Sequence, residues 1–332
     1  MAEHIEPLSV TAEACANIAF IKYWGNRGVG LNLPLNVSIS MNLESCVSRT
    51  TATLLPNGSA DDFVLNGRQD DAAAAARVSA LLDRVREIAG RNERVRVTSE
   101  NNFPSGCGIA SSASGFAALA RAATILFGLD ADEAELSRIA RLGSGSAARS
   151  VLDGFVQLLP GETHGAAFAR QVAPPSAWPD LRDLVVVVSS KEKEASSLDG
   201  HALAATSEMM PGRLAAVPAR ADRVRRAIAD RDLAALGEAS ELDALSMHAV
   251  MMTSRPSLQY WKPGTLAVME AVRALRRGGT EAYFTIDAGP NVHILVEDER
   301  LSRVERVMKD ELGFNTLASK PGPGARIVER SP

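Results

Sequence analysis

The chain has 332 residues, 46% hydrophobic and 23% charged, the balance of a globular protein of one large or two ordinary domains. Its net charge of −4, with no block of like charge, argues against general nucleic-acid binding, which needs concentrated Lys and Arg, but leaves room for a small basic pocket. Cys15, Cys46 and Cys107 are odd in number, widely spaced and lack a CxxC pair, which argues against a disulfide framework or zinc site.

The opening "MAEHIEPLSV" is acidic and lacks an apolar h-region, and no apolar run approaches the ~20 residues of a membrane span. The expectation is a cytoplasmic protein without signal peptide or membrane contact. The first predicted element is the strand "ANIAFIKYW", residues 16–24, running into "KYWGNR". Aromatic residues make up only 5% of the chain, yet Tyr23 and Trp24 stand together beside Lys22, a clustering that calls for an explanation. The plainer alternative for Lys22 is a snorkelling surface lysine.

Next comes a helix in 70–91, where Val78, Leu81, Leu82, Val85 and Ile88 recur at helical spacing and Gly90 is a stop, followed by the strand "RVRVTS". "PSGCGIASSASGFAAL", residues 104–119, then joins a Gly turn to a helix. Glycines let backbone approach a ligand, helix N–H groups attract anions, and hydroxyls can donate to phosphate or hold Mg²⁺. A Ser-capped helix after an ordinary turn is the alternative, and the Walker pattern is absent because no Lys-Ser/Thr follows.

A further helix, capped by Asp130 or Asp132, leads to "RLGSGSAARS", expected as a flexible polar turn. Arg149, one helical turn beyond Ser144 and Ser146, suits bidentate binding of a carboxylate, against the alternative of an exposed arginine. The Pro-rich "QVAPPSAWPD" before "LVVVVSS" marks a domain junction near residue 180, giving units 1–182 and 183–332. Helices are predicted within 218–252 and 264–277, and strands in "AYFTI" and "VHILVED", with no strict βαβ rhythm; the class is α+β. Asp287, between strand and "AGPN", can be a base or metal ligand, or simply a turn-former. His248 lies on an apolar helix and reads as a core residue or one supporting a site. His4, His164, His201 and His293 form no local cluster, so no metal is assigned to them.

Taken in order, "NIAFIKYWGNR", "LNLPLNVSISMNL", "SGCGIASSASGFAAL", "GSGSAARS" and "FTIDAGPN" resemble the mevalonate diphosphate decarboxylase family of the GHMP kinase superfamily, over residues 17–291. The resemblance implies a GHMP kinase fold: an N-terminal domain like ribosomal protein S5 domain 2, a ferredoxin-like C-terminal domain, and an active site between them. It implies ATP and Mg²⁺ as cofactors, a homodimer, and ATP-dependent decarboxylation of a phosphorylated mevalonate.

By position, the resemblance makes Asp287, Lys22 and Arg149 catalytic, Arg149 also holding the substrate carboxylate. Ser144 and Ser146 become substrate-binding, with Tyr23 and Trp24 as pocket walls. Ser105, Gly106, Gly108, Ser111, Ser112 and Ser114 form the ATP phosphate loop, Ser112 also facing the metal. Two departures concern the second phosphate: Asn26 stands where the family has Lys, and His201, in "SSLDGHALAATS", where it has Arg. With Lys191 and Lys193 as partial compensation, the expectation leans to mevalonate 5-phosphate, giving isopentenyl phosphate. The alternatives are the diphosphate, a kinase that stops after phosphorylation such as a mevalonate 3-kinase, and a non-catalytic sensor or RNA-binding module.

Overall fold

The computed structural model describes residues 8–27, 30–69, 72–103, 111–190 and 197–331. The chain opens with β1 (Ser9–Ile21), a short ribbon of β2 (Asn26–Arg27) and β3 (Leu33–Pro34), and the long β4 (Ser38–Leu55). After β5 (Asp62–Leu65) come α1 (Ala72–Ala89), β6 (Arg94–Asn101), α2 (Ser111–Leu126) and α3 (Glu133–Gly143). A 3₁₀ turn over Gly145–Ser150 leads into β7 (Phe155–Leu158) and β8 (Ala169–Ala173). The second half holds β9 (Leu181–Val187), α4 (Ser197–Leu203), α5 (Met210–Asp230), α6 (Leu233–Thr253) and α7 (Pro263–Arg277). It closes with β10 (Tyr283–Thr285), β11 (Val292–Glu297), α8 (Asp298–Arg306), β12 (Asn315–Ser319) and β13 (Arg326–Ser331). The class is α+β, as expected.

One sheet runs β13-β1-β4-β6-β5, with β7 on the first part of β4 and β8 beyond it; only β5–β6 is parallel. A second, antiparallel sheet runs β10-β11-β9-β12. The strand that opens the second sheet begins at Leu181, so a division after residue 182 falls inside it, and β13 returns to the first sheet.

One face of the first sheet packs Val10, Ala52 and Val97 against Val78, Leu82, Phe116 and Ile139 of the three helices. The other part of β1 and β4 carries Ile18, Phe20, Ile39 and Met41 onto Val185 and Leu295 of the second sheet and onto Val217, Val224 and Leu236 of α5 and α6. This seam is a continuous apolar contact, and the ends of its strands carry the candidate site. Stretch 218–252 is two helices: Arg231 adopts a left-handed φ of 54°, and the Asp232 side chain caps α6 through Ala235 N–H. Asp132 caps α3 through Glu135 N–H. Among the described residues no helix is long and apolar enough to cross a membrane.

Candidate active site

The predicted strand 16–24 stops at Ile21, and the next residues turn inward. Lys22 is buried, 1% exposed, and its Nζ donates to Asp287 Oδ1 and to the Ala19 carbonyl, both at 2.6 Å. The snorkelling alternative is thereby excluded. Asp287 follows β10 and is 24% exposed, and its second oxygen, without a hydrogen-bond partner among the described residues, is open to a ligand. Burial acts to raise the Asp287 pKa, but Lys22, His293 and Arg149 outweigh it and hold the carboxyl below its ordinary range. Burial pulls Lys22 down, partly offset by Asp287. His248 Nε2 lies 3.1 Å from the Asp287 carbonyl, and burial, reinforced by Lys22, lowers its pKa to about 3. The ring is therefore neutral, and because a carbonyl only accepts, Nε2 carries the proton. His248 fixes the turn that presents Asp287.

Arg149 sits in the 3₁₀ turn and is 2% exposed. Its three nitrogens donate to Ser40 Oγ at 2.9 Å, Ser38 Oγ at 2.6 Å and Asn17 Oδ1 at 3.1 Å. Ser38 and Ser40 share a face of β4 because strand side chains alternate. No carboxylate makes an ion pair with Arg149 among the described residues, and burial lowers its pKa to about 10. It stays charged at neutral pH. A buried cation whose direct partners are all neutral oxygens gains from an anionic ligand, because Asp287, acting at a distance, offsets its desolvation only in part.

The "GSGS" stretch is packed rather than flexible. A Cβ on Gly145 would come within 2.2 Å of the Tyr23 ring, and one on Gly143 within 2.1 Å of Phe116. Ser144 and Ser146 are half-buried, with hydroxyls 3.2 Å apart. Asn17 Nδ2 donates to the Ser146 carbonyl and to Ser150 Oγ, fastening the turn to β1.

Tyr23 and Trp24 divide. Tyr23 is 9% exposed, packs against Gly145, and its hydroxyl is shared between Asn26 Oδ1 and the Asn32 carbonyl. Trp24, expected as a pocket wall, is core: 2% exposed, among Met210, Met247, Val250, Met251 and Tyr260. The reason is steric, since α4 lies on it so closely that a Cβ on Gly200 would meet its ring at 2.4 Å. His201 lies against both aromatics, with ring centroids 4.4 Å from Tyr23 and 4.7 Å from Trp24. Its Nδ1 accepts Gly25 N–H at 3.0 Å, so that nitrogen carries no proton. Asn26 Nδ2 reaches Asn32 Oδ1 at 3.4 Å, and Asn32 in turn donates to the carbonyls of Arg141 and Leu142. Neither Asn26 nor His201 supplies a positive charge in this arrangement.

Ser105, Gly106 and Gly108, with Lys191 and Lys193, lie outside the described residues. Ser111 and Ser112 open α2 half-buried, and its first turn contains no acidic residue, which suits an anion. Ser114, expected to face phosphate, is wholly buried, with its hydroxyl 2.6 Å from Ser48 Oγ and donating to the Ser111 carbonyl. It anchors the helix to β4, because it lies on the same helical stripe as Ala117 and Ala118. Among the described residues no group of three or more His, Cys, Asp or Glu is placed to hold a metal.

Sequence reasoning missed Asn17, Ser38 and Ser40 as the partners of Arg149, although all three fall inside the quoted motifs.

The chain matches a family model described as the diphosphomevalonate decarboxylase-like N-terminal domain over residues 14–169, and one described as the mevalonate 5-diphosphate decarboxylase C-terminal domain over 183–321. It is 38% identical to diphosphomevalonate decarboxylase of Aspergillus fumigatus, covering 92% of this chain and 81% of that protein. It is 36% identical to phosphomevalonate decarboxylase of Haloferax volcanii, covering 98% of this chain and 99% of the other. A solved structure of MDDEF in complex with MVAPP, AMPPCP and magnesium is similar at a TM-score of 0.91 and 38% identity, covering 97% of this chain and 99% of that one.

Proposed function

Since this chain belongs to the mevalonate diphosphate decarboxylase family, with its GHMP kinase fold, we propose that it decarboxylates a phosphorylated mevalonate at the expense of ATP, and that the substrate is mevalonate 5-phosphate. The observation that carries the chemistry is the pair of buried Lys22 and half-buried Asp287 at 2.6 Å, beside an arginine without a carboxylate ion pair among the described residues. In this reading the substrate carboxylate pairs with Arg149, between Ser144, Ser146 and Asn17. The tertiary hydroxyl meets the outer oxygen of Asp287, which orients it and takes its proton as the hydroxyl oxygen attacks the γ-phosphorus of ATP, whose bond to the bridging oxygen breaks with ADP as the leaving group. Lys22 faces the developing charge on the phosphoryl group, and the start of α2 faces the nucleotide phosphates. Ser112 would hold Mg²⁺, which neutralises phosphate charge when bound.

Phosphorylation turns hydroxide, a poor leaving group, into phosphate. The C–O bond then breaks with its electrons leaving on phosphate, so the tertiary carbon becomes cation-like. Electrons of the carbon–carboxylate bond form the new double bond, CO₂ departs, and isopentenyl phosphate remains. Arg149 holds the carboxylate in line without protonating it. The same reading makes the enzyme a cytoplasmic homodimer, on the family alone.

The preference for the monophosphate rests on Asn26 and His201, both neutral at the atoms that bond the protein. Each missing cation removes a charge-assisted contact with a second phosphate. The diphosphate is the second reading, favoured by the names of relatives such as that of Aspergillus fumigatus and by the MVAPP complex. The double variant Asn26→Lys/His201→Arg is expected to raise the diphosphate-to-monophosphate ratio of kcat/KM by about tenfold or more, the scale of one charge-assisted bond. Steady-state kinetics on both substrates check it. An unchanged ratio contradicts the role given to these two positions.

A further inference from the structure

Lys22 begins where β1 ends, so its backbone N–H and C=O have no place in the sheet's hydrogen-bond ladder and need partners from elsewhere. Those partners come from two helices far along the chain. Asp243 Oδ2, on α6, accepts Lys22 N–H at 2.8 Å, and Arg213 Nη2, on α5, donates to the Lys22 carbonyl at 3.1 Å. Arg213 and Asp243 are both wholly buried as side chains and joined at 3.0 and 3.1 Å, with a further bond from Arg213 Nη1 to the Asp243 carbonyl. Asn36 Nδ2 adds a second donor to the Lys22 carbonyl at 3.0 Å. Arg213 Nε is buried without a partner among the described residues. The fork itself divides between Asp243 and the Lys22 carbonyl, so one side chain joins the ion pair to the Lys22 peptide. Five residues further along α6, His248 holds the Asp287 carbonyl. One helix therefore supports both ends of the Lys22–Asp287 pair.

We infer that Arg213 and Asp243 are positioning residues for the reaction, a buried ion pair that grips both polar groups of the Lys22 peptide and so sets its ammonium against Asp287. The inference rests on the reading of Lys22 and Asp287 as catalytic. A buried pair is weak evidence of a contribution to stability, since apolar replacement is often neutral. Its use here is to hold a chain end that the sheet releases. The charged and titratable groups around the pair are Asp243 and His248 on α6, Arg213 on α5, Arg149 in the 3₁₀ turn, His293 on β11 and the neighbouring Tyr23.

Arg213→Met/Asp243→Leu removes both charges together, so neither is left buried alone; Arg220, which touches Asp243 at 3.3 Å, is 17% exposed and can turn to solvent. Should that variant not fold, Arg213→Lys keeps the charge balance but loses the fork that reaches the Lys22 carbonyl. For the folded variant the expected result is a kcat at least tenfold lower for the double change, or threefold lower for Arg213→Lys, with KM for ATP unchanged. The acidic limb of kcat/KM moves to higher pH as Asp287 loses its cation, and the Lys22 ε-carbon NMR titration, assigned with Lys22→Arg and read in Arg213→Lys, which keeps Asp243, shifts away from that of the unmodified enzyme. A purely structural role would lower the amount of active enzyme and leave limb and titration in place. Kinetics use whichever phosphorylated mevalonate the unmodified enzyme turns over faster, so the substrate choice is not at stake. If it turns over neither, the functional reading fails and the lysine titration alone decides the clamp. A folded variant with an unmoved titration, or with unchanged kcat and limb, overturns the inference.

Discussion

Asp287→Asn is expected to lower kcat by about 10³-fold while leaving ATP and substrate affinity within about threefold, the scale of losing a positioned acid–base group. The amide is nearly isosteric and can still accept from Lys22 Nζ through its oxygen, which now contacts Asp287 Oδ1 at 2.6 Å. It cannot take the proton of the tertiary hydroxyl, and it no longer balances the Lys22 charge. The chemical step should therefore suffer and the binding contacts should not. Single-turnover phosphate and CO₂ release, with ATP affinity by calorimetry, separate the two. A near-normal kcat would refute the role of Asp287.

Arg149→Leu is expected to lower kcat/KM for the phosphorylated mevalonate by about 10²- to 10³-fold, or roughly 3–4 kcal/mol, with ATP affinity little changed. Fold stability should move by no more than about 1 kcal/mol, because the cost of burying an unpaired guanidinium disappears with it. The loss of the hydrogen bonds that Arg149 donates to Ser38, Ser40 and Asn17 works against that gain, but the two hydroxyls can turn to new partners. An arginine kept for structure would show the opposite pattern: a large loss of stability and a small loss of turnover. Equal losses of ATP and substrate affinity would place Arg149 on the wrong ligand.

The candidate site residues were legible because each sits in a short motif. Lys22, Arg149 and Asp287 stood out locally and took their expected roles from the family resemblance, and the fold brings Lys22 and Asp287 into contact across 265 residues of sequence. Helix α1 and the Asp132 cap were readable from period and capping chemistry. The supporting groups were not. Asp243 lies 221 residues from Lys22 and looks, on its own helix, like one more solvated acid. The 18-residue β4 and the returning β13 gain their stability from partners on both sides or from the chain's other end, which no local window contains.

Two misreadings have specific causes. Trp24 lies in an aperiodic turn, where neither helical nor strand spacing tells a core face from a cleft face. Ser114 could have been placed correctly, since i, i+3 and i+4 join it to Ala117 and Ala118, both fully buried. The phosphate-loop motif drew attention away from that period. Asn26 also looks different in its setting. It is tied to Tyr23 and Asn32, and its amide carries no charge.

The most direct test of the account is steady-state kcat/KM of the unmodified enzyme for mevalonate 5-phosphate and mevalonate 5-diphosphate, with ADP and CO₂ measured in the same reactions. The account predicts a higher value for the monophosphate and one CO₂ released for each ADP. A higher value for the diphosphate, or ADP formed without CO₂, would contradict it.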